Sequence, residues 1–274
     1  MYRIIACDLD ETLLDSAHAI PERNRKAIQK ASDQGVWFVC STGRPYNSVI
    51  DTLEELGLNK EGQYILSFNG GMITEAVTER VLHYEHLDFE RARAIYDFAR
   101  ARHVPLHVYT RDHVYIIDCD EDEWNYIGGR MSNVNCDEPS LDFLEGQDII
   151  KMLFVNRDKA VLEDLQKQMG PLCDGLDGSF SSNRYMEFNP QGVNKGAGLR
   201  QLAQALEVDM SQTIAIGDNI NDLPMIQAAA IGAGVVNSNP AILPDCQYVC
   251  TSDNDHGAVG EVIERFVLNQ ADQD

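Results

Sequence analysis

The sequence contains no apolar run long enough to cross a membrane, which takes about 18 or more consecutive apolar residues. It also lacks any Cys-x-x-Cys pair, although it has seven cysteines, several of them within apolar segments. An odd number of cysteines without such a pair is typical of small core side chains in a reducing compartment. The first strand is predicted to begin almost at residue 1, which leaves no room for a signal peptide. We therefore expect a cytoplasmic protein.

Basic residues are scarce. The chain has 22 Lys and Arg residues against 44 Asp and Glu residues, so its formal net charge is −22. This balance argues against nucleic acid or an anionic membrane as a partner. An anionic substrate would need a locally positive site, which Mg²⁺ and a few placed basic side chains could supply. The sequence also lacks internal repeats and low-complexity segments, and it leaves the oligomeric state open.

The length of 274 residues and the 44% hydrophobic content allow one large domain or two moderate ones. Apolar segments at 4–7, 36–40, 64–66 and 213–216 read as buried strands, and amphipathic helices separate the first three of them. Buried strands alternating with helices predict βαβ units and a parallel sheet. The expected fold class is α/β, with a Rossmann-like parallel-sheet core in three α/β/α layers.

The pattern changes near residue 72, where short strands follow one another with fewer intervening helices. Adjacent strands of this kind predict an antiparallel sheet with helices on one face, and hence an inserted α+β domain. The βα pattern returns at about residue 194. We therefore predict that residues 1–70 and 191–274 form one core domain and that residues 71–190 form the insertion.

Two acidic residues, Asp8 and Asp10, directly follow the first predicted strand. If the chain stays extended, side chains two residues apart point to the same side. Two carboxylates that close repel each other unless a cation or protons lie between them. The carboxyl end of a parallel strand is also where such sheets bind ligands. The pair therefore suggests a site for Mg²⁺ and phosphate chemistry, although an acidic turn would look the same in isolation.

Three other polar clusters fall at predicted strand or helix ends: residues 41–44, 194–196 and 217–222. Each has a plain structural explanation when taken alone. Thr-Gly-Arg can be a turn, Lys195 a solvated charge, and the last cluster a turn followed by a helix N-cap. Three of the four clusters follow strands, and the fourth begins a helix, a position suited to anions. Their joint occurrence therefore predicts one site.

These four clusters together resemble the motifs of the haloacid dehalogenase-like superfamily. The residues that carry the resemblance are Asp8-Leu9-Asp10-Glu11-Thr12-Leu13-Leu14, Thr42-Gly43-Arg44, Val193-Asn194-Lys195-Gly196 and Gly217-Asp218-x-x-Asn221-Asp222. More narrowly, the chain looks like the Cof-type phosphatases, which carry a large cap inserted between the second and third motifs. Glu11 stands where Gly is more common, which is a familiar variant. The resemblance covers essentially the whole chain.

The resemblance implies roles for the residues that act on phosphorus. Asp8 would be the nucleophile and would form an aspartyl-phosphate. Asp10 would protonate the leaving alcohol and then activate water. The Thr42 hydroxyl, the Gly43 N–H and the Lys195 ammonium would hold the phosphoryl oxygens.

The resemblance also implies a magnesium site. Asp8, the backbone carbonyl of Asp10 and Asp218 would bind Mg²⁺ together with water. Asn221 would contact the metal shell or the phosphate, and Asp222 would orient Lys195.

Substrate choice would fall to the inserted cap closing over the site. The family implies a small phosphorylated molecule such as a sugar phosphate, a nucleotide or pyridoxal phosphate, and the sequence does not choose among them. Candidate recognition residues are Arg44, Asn69, Gly70, Tyr109, Arg111, Arg184, Tyr185 and Glu187.

The leading functional hypothesis is a Mg²⁺-dependent phosphohydrolase that cleaves small phosphate monoesters. The alternatives are a phosphotransferase or phosphomutase that uses the same aspartyl-phosphate, and a non-catalytic sensor of a phosphorylated ligand. A sensor would usually have lost the nucleophile or the acid, and this chain retains both. Asp10 also argues against a dehalogenase, because the motif pattern typical of dehalogenases lacks the second acid.

Overall fold

The computed structural model describes residues 1–128 and 132–268. The strands in chain order are β1 (Ile4–Cys7), β2 (Trp37–Ser41), β3 (Tyr64–Ser67), β4 (Met72–Glu75), β5 (Val81–Tyr84), β6 (Leu106–Tyr109), β7 (Val114–Ile117), β8 (Asn133–Asn135), β9 (Lys151–Val155), β10 (Leu176–Ser181), β11 (Tyr185–Pro190), β12 (Thr213–Gly217), β13 (Ile231–Gly234) and β14 (Tyr248–Val249). The helices are α1 (Glu22–Asp33), α2 (Ile50–Glu55), α3 (Phe89–Arg100), α4 (Glu121–Ile127), α5 (Lys159–Met169), α6 (Lys195–Ala205), α7 (Leu223–Ala228) and α8 (Ala258–Ile263).

The chain divides into two compact units. The larger unit comprises Met1–Tyr84 and Asn194–Asp274, and the smaller unit comprises Glu85–Val193. The sequence placed the boundaries at residues 70/71 and 190/191. The difference at the first boundary is the hairpin of β4 and β5, which was expected in the insertion. In the structure β4 pairs with β3, so the hairpin extends the sheet of the larger unit.

The larger unit contains an eight-stranded sheet in the order β14-β13-β12-β1-β2-β3-β4-β5. The pairings from β14 to β3 are parallel, and those of β4 and β5 are antiparallel. All four residues of β1 are fully buried, as expected for an inner strand of a parallel sheet. The α/β class predicted from the sequence is confirmed.

Helix α6 covers part of one face of this sheet. Its apolar residues Leu199 and Leu202 belong to one buried cluster with Ile4 and Ala6 of β1 and Val39 of β2. Helices α1 and α8 pack against each other, and α1 also contacts β2. The buried cluster that joins α6 to β1 and β2 fixes α6 against the central strands.

The smaller unit contains a six-stranded sheet in the order β10-β11-β9-β6-β7-β8. Its pairings are antiparallel except for that of β7 with β8. Residues of α3 and α5 pack with alternate strand residues such as Val108, Phe154 and Phe188 in one apolar cluster. This is the α+β arrangement expected for the insertion. Within the described residues, we find no helix with the length and hydrophobicity that a membrane crossing requires.

Candidate functional site

Three neighbouring parallel strands end at the same edge of the larger sheet. β1 lies between β12 and β2, and Cys7 is in register with Ile216 and with Cys40. The first residues beyond these strands include Asp8 and Thr42, and Asp218 follows β12. Because the strands run parallel, their carboxyl ends lie side by side. The structure thus brings three of the four predicted clusters to one edge.

The start of α6 brings the fourth cluster to the same place. Asn194 caps the helix, since its side chain accepts a hydrogen bond of 2.9 Å from the Ala197 N–H. Lys195 follows and is fully buried. Its Nζ donates to Asp8 Oδ1 at 2.5 Å and to Asp222 Oδ1 at 2.6 Å. One ammonium therefore links the first cluster to the last.

Asp222 connects Lys195 to the loop that carries Asp218. Its second oxygen, Oδ2, accepts the backbone N–H groups of Asp218 and Asn219, both at 3.0 Å. A Cβ at Gly217 would lie 2.4 Å from the Asp222 Cβ, so glycine is required for this close approach. Both carboxylate oxygens of Asp222 are therefore engaged, and the side chain is held in one position.

The site has more buried negative charge than Lys195 can offset. Asp8, Asp218 and Asp222 each offer a carboxylate oxygen, and these oxygens lie within 4.8 Å of one another. Burial, reinforced by the charge of Asp222, raises the pKa of Asp8 above its ordinary value despite the nearby Lys195. Burial and the charges of Asp8 and Asp222 likewise raise the pKa of Asp218. A divalent cation would relieve this crowding.

The donor set suits a hard cation. Carboxylate oxygens are the ligands that Mg²⁺ prefers in proteins. The oxygens of Asp222 already bind Lys195 and two N–H groups, so Asp8 and Asp218 are the carboxylates best placed for a metal. Thr12 holds Asp218 in place, because its hydroxyl donates to Asp218 Oδ1 at 2.9 Å. The residues present therefore fit the magnesium site that the sequence suggested.

The carboxylates of Asp8 and Asp10 engage different cations in the structure. β1 ends at Cys7 and Asp10 lies in a turn, yet the charge of Asp10 still acts on Asp8 and helps to raise its pKa. Arg44 binds the Asp10 carboxylate at two points, through Nε to Oδ2 at 3.0 Å and through a second, short contact to Oδ1. Arg44, predicted as a substrate residue, is therefore engaged with the predicted acid.

Thr42 is buried at the edge, and its backbone is held from both sides. Its N–H donates to Leu66 O at 2.8 Å, and its carbonyl accepts the Asn69 N–H at 2.9 Å. Its hydroxyl accepts the Arg44 N–H at 3.1 Å, which leaves the hydroxyl proton available for another acceptor. Gly43, the next residue, is half-buried.

Two predicted residues meet beside Thr42. Asn221 Nδ2 donates to Asn69 Oδ1 at 3.4 Å, so the cluster at residues 217–222 reaches the loop that follows β3. Gly70 lies in that loop with φ +86°, and a Cβ there would lie 2.5 Å from Asn194 O. The structure thus gives Gly70 a packing role against the start of α6.

The remaining substrate candidates lie in the smaller unit and have partners there. Arg184 binds Glu123 at 3.0 Å and stacks on the Tyr126 ring, and Glu187 binds Lys151 at 2.7 Å. Among the other candidates, Tyr185 donates to Glu123 at 2.6 Å, Lys151 lies over the Tyr109 ring, and Arg111 lies beside Asp112. Their roles in substrate recognition stay predictions.

Sequence reasoning missed the part played by Thr12. Its hydroxyl binds Asp218 across 206 positions of the chain. Thr12 lies in the motif at residues 8–14, and its place in that motif indicates that it belongs to the site. Nothing in the motif identifies Asp218 as its partner.

Comparisons with known proteins identify the family of this chain. A family model described as haloacid dehalogenase-like hydrolase matches residues 5–263. YxeH of Bacillus subtilis (strain 168) is 30% identical over 277 residues, covering 98% of this chain and 99% of its own length. The 5-amino-6-(5-phospho-D-ribitylamino)uracil phosphatase YcsE of the same strain is 28% identical over 274 residues, covering 97% of this chain and 96% of its own length.

A solved structure shows the same fold. The crystal structure of a haloacid dehalogenase-like hydrolase from Bacteroides thetaiotaomicron matches with a TM-score of 0.85 and 28% sequence identity, covering 97% of this chain and 99% of that one. The family predicted from the four motifs is confirmed, and the chain belongs to the haloacid dehalogenase-like hydrolases.

Proposed function

We propose that this protein is a Mg²⁺-dependent phosphatase that cleaves small phosphate monoesters through an aspartyl-phosphate on Asp8. One observation carries the proposal. The Asp8 carboxylate lies at the end of β1, bound to the buried Lys195 and close to Asp218. The similarity to YcsE, whose name is that of a phosphatase, extends over nearly the whole chain and supports the same reaction class.

Asp8 and Asp218 would hold the magnesium ion, and the Asp10 carbonyl and Asn221 are further ligands predicted from the family resemblance. When bound, the ion would supply positive charge that screens the phosphate group from the buried carboxylates. Lys195 supplies positive charge of its own. Burial alone would lower its pKa, but the Asp222 and Asp8 carboxylates outweigh burial and raise it, so Lys195 stays protonated.

In the first step, an Asp8 oxygen attacks phosphorus as the bond from phosphorus to the leaving oxygen breaks. Asp10 gives its proton to that leaving oxygen. Lys195 and the Thr42 hydroxyl stabilise the charge that develops on the phosphoryl oxygens. Arg44 binds the Asp10 carboxylate in this structure, so these hydrogen bonds must break or rearrange when Asp10 turns to the substrate.

In the second step, water attacks the phosphorus atom of the aspartyl-phosphate, and Asp10 accepts the proton of that water. The bond between Asp8 and phosphorus breaks, free phosphate leaves, and Asp8 and protonated Asp10 are regenerated. The negative charge of the substrate requires a positive site in a chain of net charge −22. Lys195, Arg44 and the metal would together provide it.

The test is a phosphate-release screen over sugar phosphates, nucleotides and pyridoxal phosphate, run with Mg²⁺ and with a chelator. We expect release that requires Mg²⁺ and that Asp8→Asn abolishes. Asp51→Asn is the matched control, because Asp51 is exposed on α2 and the same atoms change there. Equal release by the wild type and Asp8→Asn on every active compound would contradict the assignment of the nucleophile. Transfer to a sugar hydroxyl in place of release would indicate a phosphotransferase.

A further inference from the structure

Residues 9–14, here called the Asp10 turn, carry the proposed acid in a conformation that the chain alone does not favour. Glu11 has φ +60° and ψ +9°, in the left-handed region, where a residue with a Cβ is strained. The turn is closed by the Leu14 N–H, which donates to Leu9 O at 2.9 Å. Such a conformation persists where surrounding groups hold it.

Three asparagine side chains, here called the asparagine clamp, hold the Asp10 turn. Asn237 Nδ2 donates to Glu11 O at 2.8 Å, Asn24 Nδ2 donates to Leu13 O at 3.1 Å, and Asn254 Nδ2 donates to Leu14 O at 3.0 Å. The three residues come from separate places in the larger unit. Asn24 lies in α1, Asn237 follows β13, and Asn254 precedes α8.

The clamp is itself held in position. Asn237 Oδ1 accepts the Asn254 N–H at 3.1 Å, so these two residues act together. Asn24 is fully buried, and its Oδ1 accepts the Gly260 N–H at 2.7 Å. The orientations of the Asn24 and Asn237 amides are therefore set, with each N–H₂ group facing a carbonyl of the turn. One of the three bonds goes to Glu11, the residue in the left-handed conformation.

We propose that Asn24, Asn237 and Asn254 are positioning residues for Asp10. They fix the backbone around the acid, and thereby the place from which its carboxyl group reaches the leaving oxygen. This inference rests on the proposed function, in which Asp10 is the proton donor. Misplacing a catalytic group by about 1 Å can cost on the order of 100-fold in rate, so a loosened turn should slow proton donation without changing substrate binding.

Asn237 is the best residue to change, because it is exposed and its removal leaves no buried gap. Asn237→Ala removes both of its bonds. Asn237→Asp keeps an acceptor for the Asn254 N–H but cannot donate to Glu11 O when ionised. Asn254→Ala is a second, buried test of the clamp. Asn59→Ala is the matched control, since Asn59 lies in the same unit and its amide bonds Glu54 at 3.2 Å.

The kinetic test compares glycerol 2-phosphate, which has a poor leaving group, with 4-nitrophenyl phosphate, which has a good one. We expect Asn237→Ala and Asn237→Asp to lower kcat on glycerol 2-phosphate about tenfold with KM unchanged, and to lower kcat on 4-nitrophenyl phosphate less than about twofold. In an Asp10→Ala background the loss should vanish, because the two residues act on one step. Equal losses on both substrates, no loss, or a loss that persists without Asp10 would overturn the proposal.

Hydrogen exchange separates failure of the clamp from failure of the proposed function. The Leu14 amide, followed by mass spectrometry of a peptide covering residues 9–14, should exchange about tenfold faster in Asn237→Ala than in the wild type and Asn59→Ala. Unchanged exchange would overturn the clamp. Faster exchange in a protein that releases no phosphate would confirm that the asparagines hold the turn, and would overturn both the phosphatase activity and the role of the clamp in it.

Discussion

Replacing Asp222 by Asn should destabilise the larger unit strongly, although the two side chains have the same shape. Asp222 accepts hydrogen bonds from Lys195 Nζ on one oxygen and from two backbone N–H groups on the other. An Asn side chain has one acceptor oxygen and one donor group. If the Asn oxygen accepts the two backbone N–H groups, the Asn N–H₂ group faces the Lys195 ammonium. In the reverse orientation, the Asn N–H₂ group faces the two backbone N–H groups. A buried donor is left unsatisfied in either case.

The magnitude follows from the burial of the pair. Lys195 and Asp222 are both fully buried, and Lys195 keeps Asp8 as its second partner, so the cost is that of leaving a buried donor unsatisfied, about 1–3 kcal/mol. For a unit of this size, each kcal/mol lowers Tm by about 2–4 °C. We therefore expect Asp222→Asn to lower Tm by roughly 2 to 12 °C.

The assay follows tryptophan fluorescence during thermal unfolding in a Trp124→Phe background. The chain has two tryptophans, and Trp37 lies in the larger unit, so its fluorescence then reports that unit. Asp51→Asn should leave Tm within about 1 °C of the parent, as is usual for an exposed substitution. A Tm for Asp222→Asn that matches the control would refute the reasoning that Asp222 and Lys195 form a stabilising buried pair.

Two further predictions concern cation binding and pH. Mg²⁺ at about 100 times its Kd should stabilise the wild type by about 2.7 kcal/mol in thermal unfolding, and Asp218→Asn should lose most of this gain while Asp51→Asn keeps it. Burial acts to raise the pKa of Glu261, but hydrogen bonds from Thr251, Tyr248 and Ser252 lower it to about 2, below the ordinary value of 4.5. Its contribution to stability is therefore complete above about pH 4.5 and is lost as the pH falls towards 2, so the Tm difference between wild type and Glu261→Gln should shrink from about pH 7 to about pH 3. A constant difference would contradict this account.

The core of the fold could be predicted because short segments of the sequence identify its strands. Apolar runs such as Ile4–Cys7 identify buried strands, and polar residues at their ends mark the edge where parallel strands bind ligands. The proximity of Asp8, Lys195 and Asp218 follows from that topology. The placement of the β4–β5 hairpin does not, because strand pairing is decided by partners distant in sequence. The residues of this hairpin are compatible with pairing in either sheet.

The conformation of the chain around Asp10 also lay beyond the sequence pattern. The rule for positions i and i+2 holds only while the chain stays extended, and the chain turns directly after Asp8 with Glu11 in a left-handed conformation. The groups that hold this turn are far away in the chain, and Asn237 binds Glu11 across 226 positions. An isolated asparagine in a loop carries no pattern that predicts such a partner.

The central claim is that Asp8 becomes covalently phosphorylated during turnover. The most direct measurement is rapid acid quenching during hydrolysis of 4-nitrophenyl phosphate with Mg²⁺, followed by mass mapping of the peptides. We expect the mass of one phosphoryl group on Asp8, absent in Asp8→Asn. An enzyme that turns over at full rate with phosphate on another residue, or that needs no Asp8, would contradict the account.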